Sequence, residues 1–169
     1  IKHSYKEKAV ILKEKGITDI PRDIPLIVSL TSFPQRINTS VKAVKTLLNQ
    51  TIKPDKVILW LAESQFPGKE DDLPSELLQL KDFGLTIEWY EDIRSYKKLI
   101  PALEKYPNAV IITADDDVDY AADTVETLYS SYIKNPENIH THRAARIRIK
   151  NNTMEDLPSR ILYNKDFSK

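Results

Sequence analysis

Three consecutive acids, Asp115, Asp116 and Asp117, follow the short apolar run Ala109-Val110-Ile111-Ile112-Thr113-Ala114. Carboxylates packed this closely repel one another unless a cation or a set of hydrogen-bond donors compensates. A hard divalent ion, Mg²⁺ or Mn²⁺, meets that need and leaves coordination sites open for phosphate oxygens. On an extended backbone Asp115 and Asp117, two apart, point to one side and can share such an ion. The other reading is a solvated loop whose acids cap the next helix, and Asp123 with Glu126 has the spacing of a capping pair. Acids at Asp115, Asp117, Asp119, Asp123 and Glu126 also fall on most ligand positions of a calcium loop. Tyr120, however, stands where that loop needs glycine, and a strand precedes it in place of a helix. An aspartyl-phosphate phosphatase carries its Asp-x-Asp on the first strand of the domain, whereas here other strands come first and no glycine follows.

The acids need a strand to position them, and residues 109–114, too few for an ordinary helix and rich in β-branched types, read as one buried on both faces, as inside a parallel sheet. Leu26–Leu30, Lys56–Leu61 and Leu85–Tyr90 read as earlier strands. Between them, Asn38–Asn49 carries Val41, Val44, Leu47 and Leu48 at helical spacing with Asn38 or Thr39 as cap. Pro74–Asp82 reads as a short helix stopped near Gly84, Tyr96–Tyr106 as a helical stretch disturbed by Pro101, and 124–134 as a capped helix. Repeated β-then-α order predicts an α/β fold, a mostly parallel sheet with helices on both faces. Topology then gathers the carboxyl ends of the strands on one edge: Thr31 and Arg36, then Glu63, then Asp92, Arg94 and Lys97, then the acids. Each basic group alone reads as a solvated charge; together they suit a ligand with a diphosphate at one end and a hydrogen-bonding ring at the other. Trp60, Trp89 and Tyr96 read as packing residues. His140 and His142 read as surface groups, with metal ligation or base catalysis as the alternative.

At 169 residues with 41% apolar content, the chain is one domain's worth and can bury a core. Its 25 basic residues equal its 25 acidic ones, so no global basic field argues for nucleic acid. The lack of cysteine excludes disulfides, thiolate catalysis and cysteine-ligated zinc, and is consistent with the cytoplasm. Three scattered glycines, Gly16, Gly68 and Gly84, build neither a Walker loop nor a dinucleotide fingerprint. The opening stretch, Ser4 and Glu7 followed by Ala9, Val10, Leu12 and then Gly16, predicts a capped amphipathic helix with a glycine stop that packs on the body. A second reading sets its lysines against anionic lipid, a peripheral contact at the inner face of a membrane. No run approaches membrane-spanning length, and a chain opening at Ile1 is expected to be a trimmed form. Near the other end, Arg146, Arg148 and Lys150 alternate with Ile147 and Ile149 as in a strand with one basic face.

Four ordered segments carry a resemblance: Ile27-Val28-Ser29-Leu30-Thr31-Ser32-Phe33-Pro34-Gln35-Arg36-Ile37; Asn49-Gln50-Thr51 with Pro54 and Lys56-Val57-Ile58-Leu59-Trp60-Leu61; Glu91-Asp92 with Ser95-Tyr96-Lys97-Lys98; and Thr113-Ala114-Asp115-Asp116-Asp117. From about Leu26 to about Arg143 the chain resembles the nucleotide-sugar-binding half of bacterial glycosyltransferases of the GT-A fold, close to the family-two-like enzymes that assemble cell-surface polysaccharides. The resemblance implies a nucleotide-sugar donor, a UDP-sugar above all, and a glycan or lipid-linked acceptor. It implies Thr31 and Arg36 near the base or diphosphate, Glu63 near the base, Asp92 beside base and ribose, and Lys97 facing the diphosphate. The triplet stands at the family's Asp-x-Asp motif, with Asp117 a direct metal ligand, Asp115 a second ligand or ribose contact, and Asp116 toward the sugar. It divides the chain into an N-terminal helix and linker (1–24), a nucleotide-sugar-binding domain (25–143), and a strand with polar tail (144–169) standing for a shortened acceptor region. No motif for a catalytic base is legible. A metal-using nucleotidyltransferase remains an alternative, as does a degenerate domain that binds a nucleotide sugar or a partner protein; the sequence does not set the oligomeric state.

Overall fold

Strand β1 (Leu26–Thr31) and strand β2 (Lys56–Ala62) are almost wholly apolar and almost wholly buried. The computed structural model describes residues 10–142, 149–150 and 153–154. In chain order β1 is followed by α1 (Ile37–Leu47), β2, α2 (Ser75–Gln79), β3 (Leu85–Tyr90), α3 (Ile100–Lys105), β4 (Val110–Ala114) and α4 (Thr124–Lys134). A two-stranded antiparallel pair, β5 (Ile149–Lys150) and β6 (Thr153–Met154), comes last. The chain divides into two units, Ile1–Glu126 and Thr127–Lys169, with the division inside α4.

In the first unit the four strands form an all-parallel sheet in the order β3-β2-β1-β4, with Val28 opposite Val57 on one side and Ile112 on the other. The connections step outward from β1 to β2 to β3 and then cross back to β4, so right-handed crossovers put α3 on the face opposite α1 and α2. Ile27, Ile58 and Trp60 accordingly pack with Ala102 of α3. The alternate residues Leu26, Val28, Leu30, Val57, Leu59 and Leu61 belong to the other face, and Val41, Val44 and Leu47 of α1 are buried with them.

β4 departs from expectation: it lies at an edge of this sheet and is only partly buried, with Thr113 exposed, whereas β1 and β2 are the central strands. A short apolar run has the same composition in either place, and pairing decides which. Helix α1 starts at Ile37 with Arg36 as its cap residue and no side-chain cap bond, so neither Asn38 nor Thr39 serves. The N-terminal helix falls largely on residues outside the description. Its last part, residues 10–16, is not helical. That segment is held to the first unit by backbone bonds from Gly16 N–H to Phe83 O (2.8 Å) and from Thr18 N–H to Pro54 O (2.9 Å). Gly16 is needed for close approach, since a Cβ there would stand 2.3 Å from Leu48 O. Gly84 stops the 3₁₀ turn Leu80–Phe83 that continues α2, near the expected end, at φ 104°, where other residues are strained. Of the basic-faced strand predicted over 146–150, only Ile149 and Lys150 lie within the described residues, and both are in β5. Among the described residues no helix is long and apolar enough to cross a membrane.

Candidate functional site

At the carboxyl edge of the sheet, β1 has neighbours whose connections leave in opposite directions, which opens a crevice between the loops after β1 and β4. A cavity of about 490 Å³ occupies it. Thr31 ends β1, Ser32 and Arg36 come from the loop after it, Gln65 from the turn after β2, Asp92, Arg94, Ser95, Lys97 and Lys98 from the segment after β3, and Asp115 and Asp116 from the loop after β4. Glu63 is absent from that lining; it is exposed and paired with Lys69 at 3.1 Å.

The acid triplet sits in a turn, so strand alternation does not govern its side chains. Asp116 is buried, accepting a 2.6 Å bond from Ser32 Oγ and a longer one, 3.3 Å, from Arg36. Arg36 also donates to Asp117 at 2.7 Å, while Asp115 pairs across the cavity with Lys98 at 2.5 Å. Asp116 and Asp117 therefore share one cation, and Asp115 faces another. The bond from Asp116 and the charge of Asp117 raise the basicity of the Arg36 guanidinium further. Remaining acids of the calcium-loop spacing go elsewhere, Asp119 to Lys42 and Glu126 to the Thr51 hydroxyl. At the start of α4 the Val125 N–H is taken by Gln50 Oε1 at 2.9 Å.

Gln50 is the clamp for this loop. Buried beyond the end of α1, it donates to Thr46 O and Ala121 O while accepting from Val125, and Thr51 N–H bonds Ala122 O at 2.8 Å. Tyr120 closes the other side, its hydroxyl accepting the Asp115 N–H at 2.6 Å. Burial pushes that hydroxyl's pKa up, and the Asp115 N–H pulls it back. The acids thus hang from a loop hooked at both ends.

Opposite them lies the 3₁₀ segment Arg94–Lys98, whose Lys97 also lines the crevice. Tyr96, expected in the core, is exposed, and Lys97, expected to face a diphosphate, is buried. A tighter turn of about three residues displaces the helical face that an α-helix would bury. Lys97 Nζ reaches Asp92 Oδ1 at 2.7 Å, and the Arg94 N–H adds a 3.1 Å bond to the same oxygen. Those two donors hold the Asp92 carboxyl below the usual range. Arg94 has φ 57°, a left-handed conformation that costs a non-glycine residue energy and here aims its N–H at Asp92. Trp60 is a packing residue, donating to Ser29 Oγ at 3.0 Å, and Trp89 packs edge-on to Phe66. Ser32, Gln65 and Lys98 are site residues that site assignment from sequence passed over; only the place of Ser32 and Lys98 within the quoted segments marked them.

No protein-family model matches the chain, and no curated protein matches it significantly. The site must speak through its chemistry. Among the described residues no three His, Asp or Glu side chains converge as a metal cluster. Asp115 and Asp117 keep exposed carboxylates, each paired with a base, Lys98 and Arg36 respectively. In the second unit, His140 lies 2.8 Å from Ser131 Oγ through Nδ1 and 2.9 Å from Asn135 O through Nε2, while His142 is exposed.

Proposed function

We propose that this chain is the donor-binding part of a GT-A-type glycosyltransferase that takes a sugar from a nucleotide diphosphate, with UDP-sugar as the first candidate, for a glycan or lipid-linked acceptor. The observation that carries this reading is the convergence on one crevice, at the switch point of a parallel sheet, of an acid loop, basic side chains from the loop after β1 and the segment after β3, and a hydrogen-bonded carboxylate. Arg36 and Lys98 are the groups placed to bind phosphate oxygens, Arg36 by a planar fork and Lys98 as a point charge. Both presently neutralise the acids, and phosphate would draw them away. Asp115 and Asp117 would hold a divalent ion, which when bound neutralises charge on the leaving diphosphate. Asp116, fixed by Ser32, keeps the loop in register and lies toward the sugar. Asp92, held ionised, is the acceptor for the base or ribose, and Lys97 serves it by fixing its position. No residue is assigned as catalytic base.

Calorimetry with UDP, GDP and CMP, each with and without Mn²⁺, tests this reading. Tight binding of a nucleoside diphosphate that depends on the metal is expected; equal, metal-independent binding of all three, or none, overturns it.

A further inference from the structure

One buried side-chain atom among the described residues lacks a hydrogen-bond partner: Gln65 Oε1. Its own Nε2 donates to Asp92 Oδ2 at 3.0 Å, and both residues line the crevice. The amide cannot simply be reversed, because exchanging the two atoms would set Oε1 against the Asp92 oxygen, acceptor facing acceptor. Asp92 Oδ1 already accepts from Lys97 and from the Arg94 N–H, so the Gln65 amide engages the other oxygen of this carboxylate. A buried acceptor left unpaired costs free energy, and the contact between Gln65 and Asp92 is therefore made at the expense of the other half of the amide.

We propose that the Gln65 side-chain amide stands in for the cyclic amide edge of a nucleobase and holds Asp92 ready until the ligand's ring N–H displaces it. The proposal rests on the nucleotide-sugar reading and adds the class of base: uracil or guanine, whose ring N–H lies beside a carbonyl as the Nε2–H of glutamine lies beside Oε1. When the ring N–H takes Asp92 Oδ2, the amide swings out and Oε1 gains a donor from water, so displacement relieves the unpaired acceptor. The resting site is thus filled by a side chain that shields the carboxylate yet is cheap to remove. Pyrophosphate alone, which has no N–H, leaves Gln65 in place.

Removal of the stand-in should therefore strengthen binding of the base without touching the phosphate subsite. Calorimetry of the full chain in Mn²⁺ with UDP, GDP and inorganic pyrophosphate is the test, applied to the parent, to Gln65→Ala and to Gln65→Met, which keeps length without the amide. Both variants should bind UDP or GDP, whichever the parent prefers, about three- to tenfold more tightly and pyrophosphate within about twofold of the parent. Unchanged or weaker nucleotide binding in both variants, with pyrophosphate intact, overturns the stand-in while the nucleotide reading survives. Failure of the parent to bind UDP, GDP or pyrophosphate overturns the nucleotide reading itself, and this inference with it.

Discussion

Lys97 and Lys98 stand side by side in sequence, yet the first is buried against Asp92 and the second reaches across the crevice to Asp115. Their substitutions should separate stability from binding. Lys97→Ala leaves Asp92 without its ammonium partner and should cost about 2 to 4 kcal/mol in urea unfolding, below the roughly 3 to 5 kcal/mol for a fully buried pair because the Asp92 side chain is 27% exposed. Lys98→Ala should leave the unfolding midpoint nearly unchanged and weaken pyrophosphate binding by about 1 to 3 kcal/mol if its ammonium contacts phosphate. A reversed outcome would return the phosphate role to Lys97. Asp92 also predicts a pH dependence. Its folded pKa is lowered, first by Lys97 and then by the Arg94 N–H. The unfolded state binds the extra proton, so this contribution is complete above the ordinary carboxylate pKa of about 4 and is lost as pH falls through the lower folded value. Asp92→Asn should flatten the stability profile below about pH 4, measured as urea midpoints against pH. A profile that keeps its full acid slope would assign that slope to other carboxylates.

At the scale of elements, the acid loop depends on the end of α1 as much as on β4. Gln50 satisfies three backbone groups at once, two carbonyls and the Val125 N–H. Gln50→Leu keeps bulk but removes all three bonds, and should destabilise the chain by about 1 to 3 kcal/mol. Amide exchange in residues 120–125 should quicken more than exchange in β1, because the loss is local before it is global. Uniform acceleration throughout the sheet would show that this loop does not open on its own.

Across the whole molecule, the crevice lies within the first unit, and its walls come from segments far apart in sequence that meet only through the β3-β2-β1-β4 order. A ligand that joins those walls should stabilise the native state. UDP with Mn²⁺ at a hundred times its dissociation constant should add about 2.7 kcal/mol and raise the urea midpoint. Asp117→Ala should abolish that metal-dependent increment while folding as stably as the parent, since Arg36 retains Asp116; an undiminished increment would remove Asp117 from the metal site. The four parallel strands, the order of helices and the glycine stop at Gly84 were legible in the sequence, because period, β-branched content and turn chemistry are local properties. So was the gathering of Thr31, Arg36, Asp92 and the acids at one edge, which follows from topology once the strands are parallel. What only the tertiary structure decided was orientation and partnership: Lys97 inward and Tyr96 outward, Asp115 to Lys98, Asp117 to Arg36, Glu63 to Lys69, and β4 at the edge. These depend on how a 3₁₀ turn rotates a face and on which charge lies across a gap, and spacing along the chain does not encode the distance between separate segments.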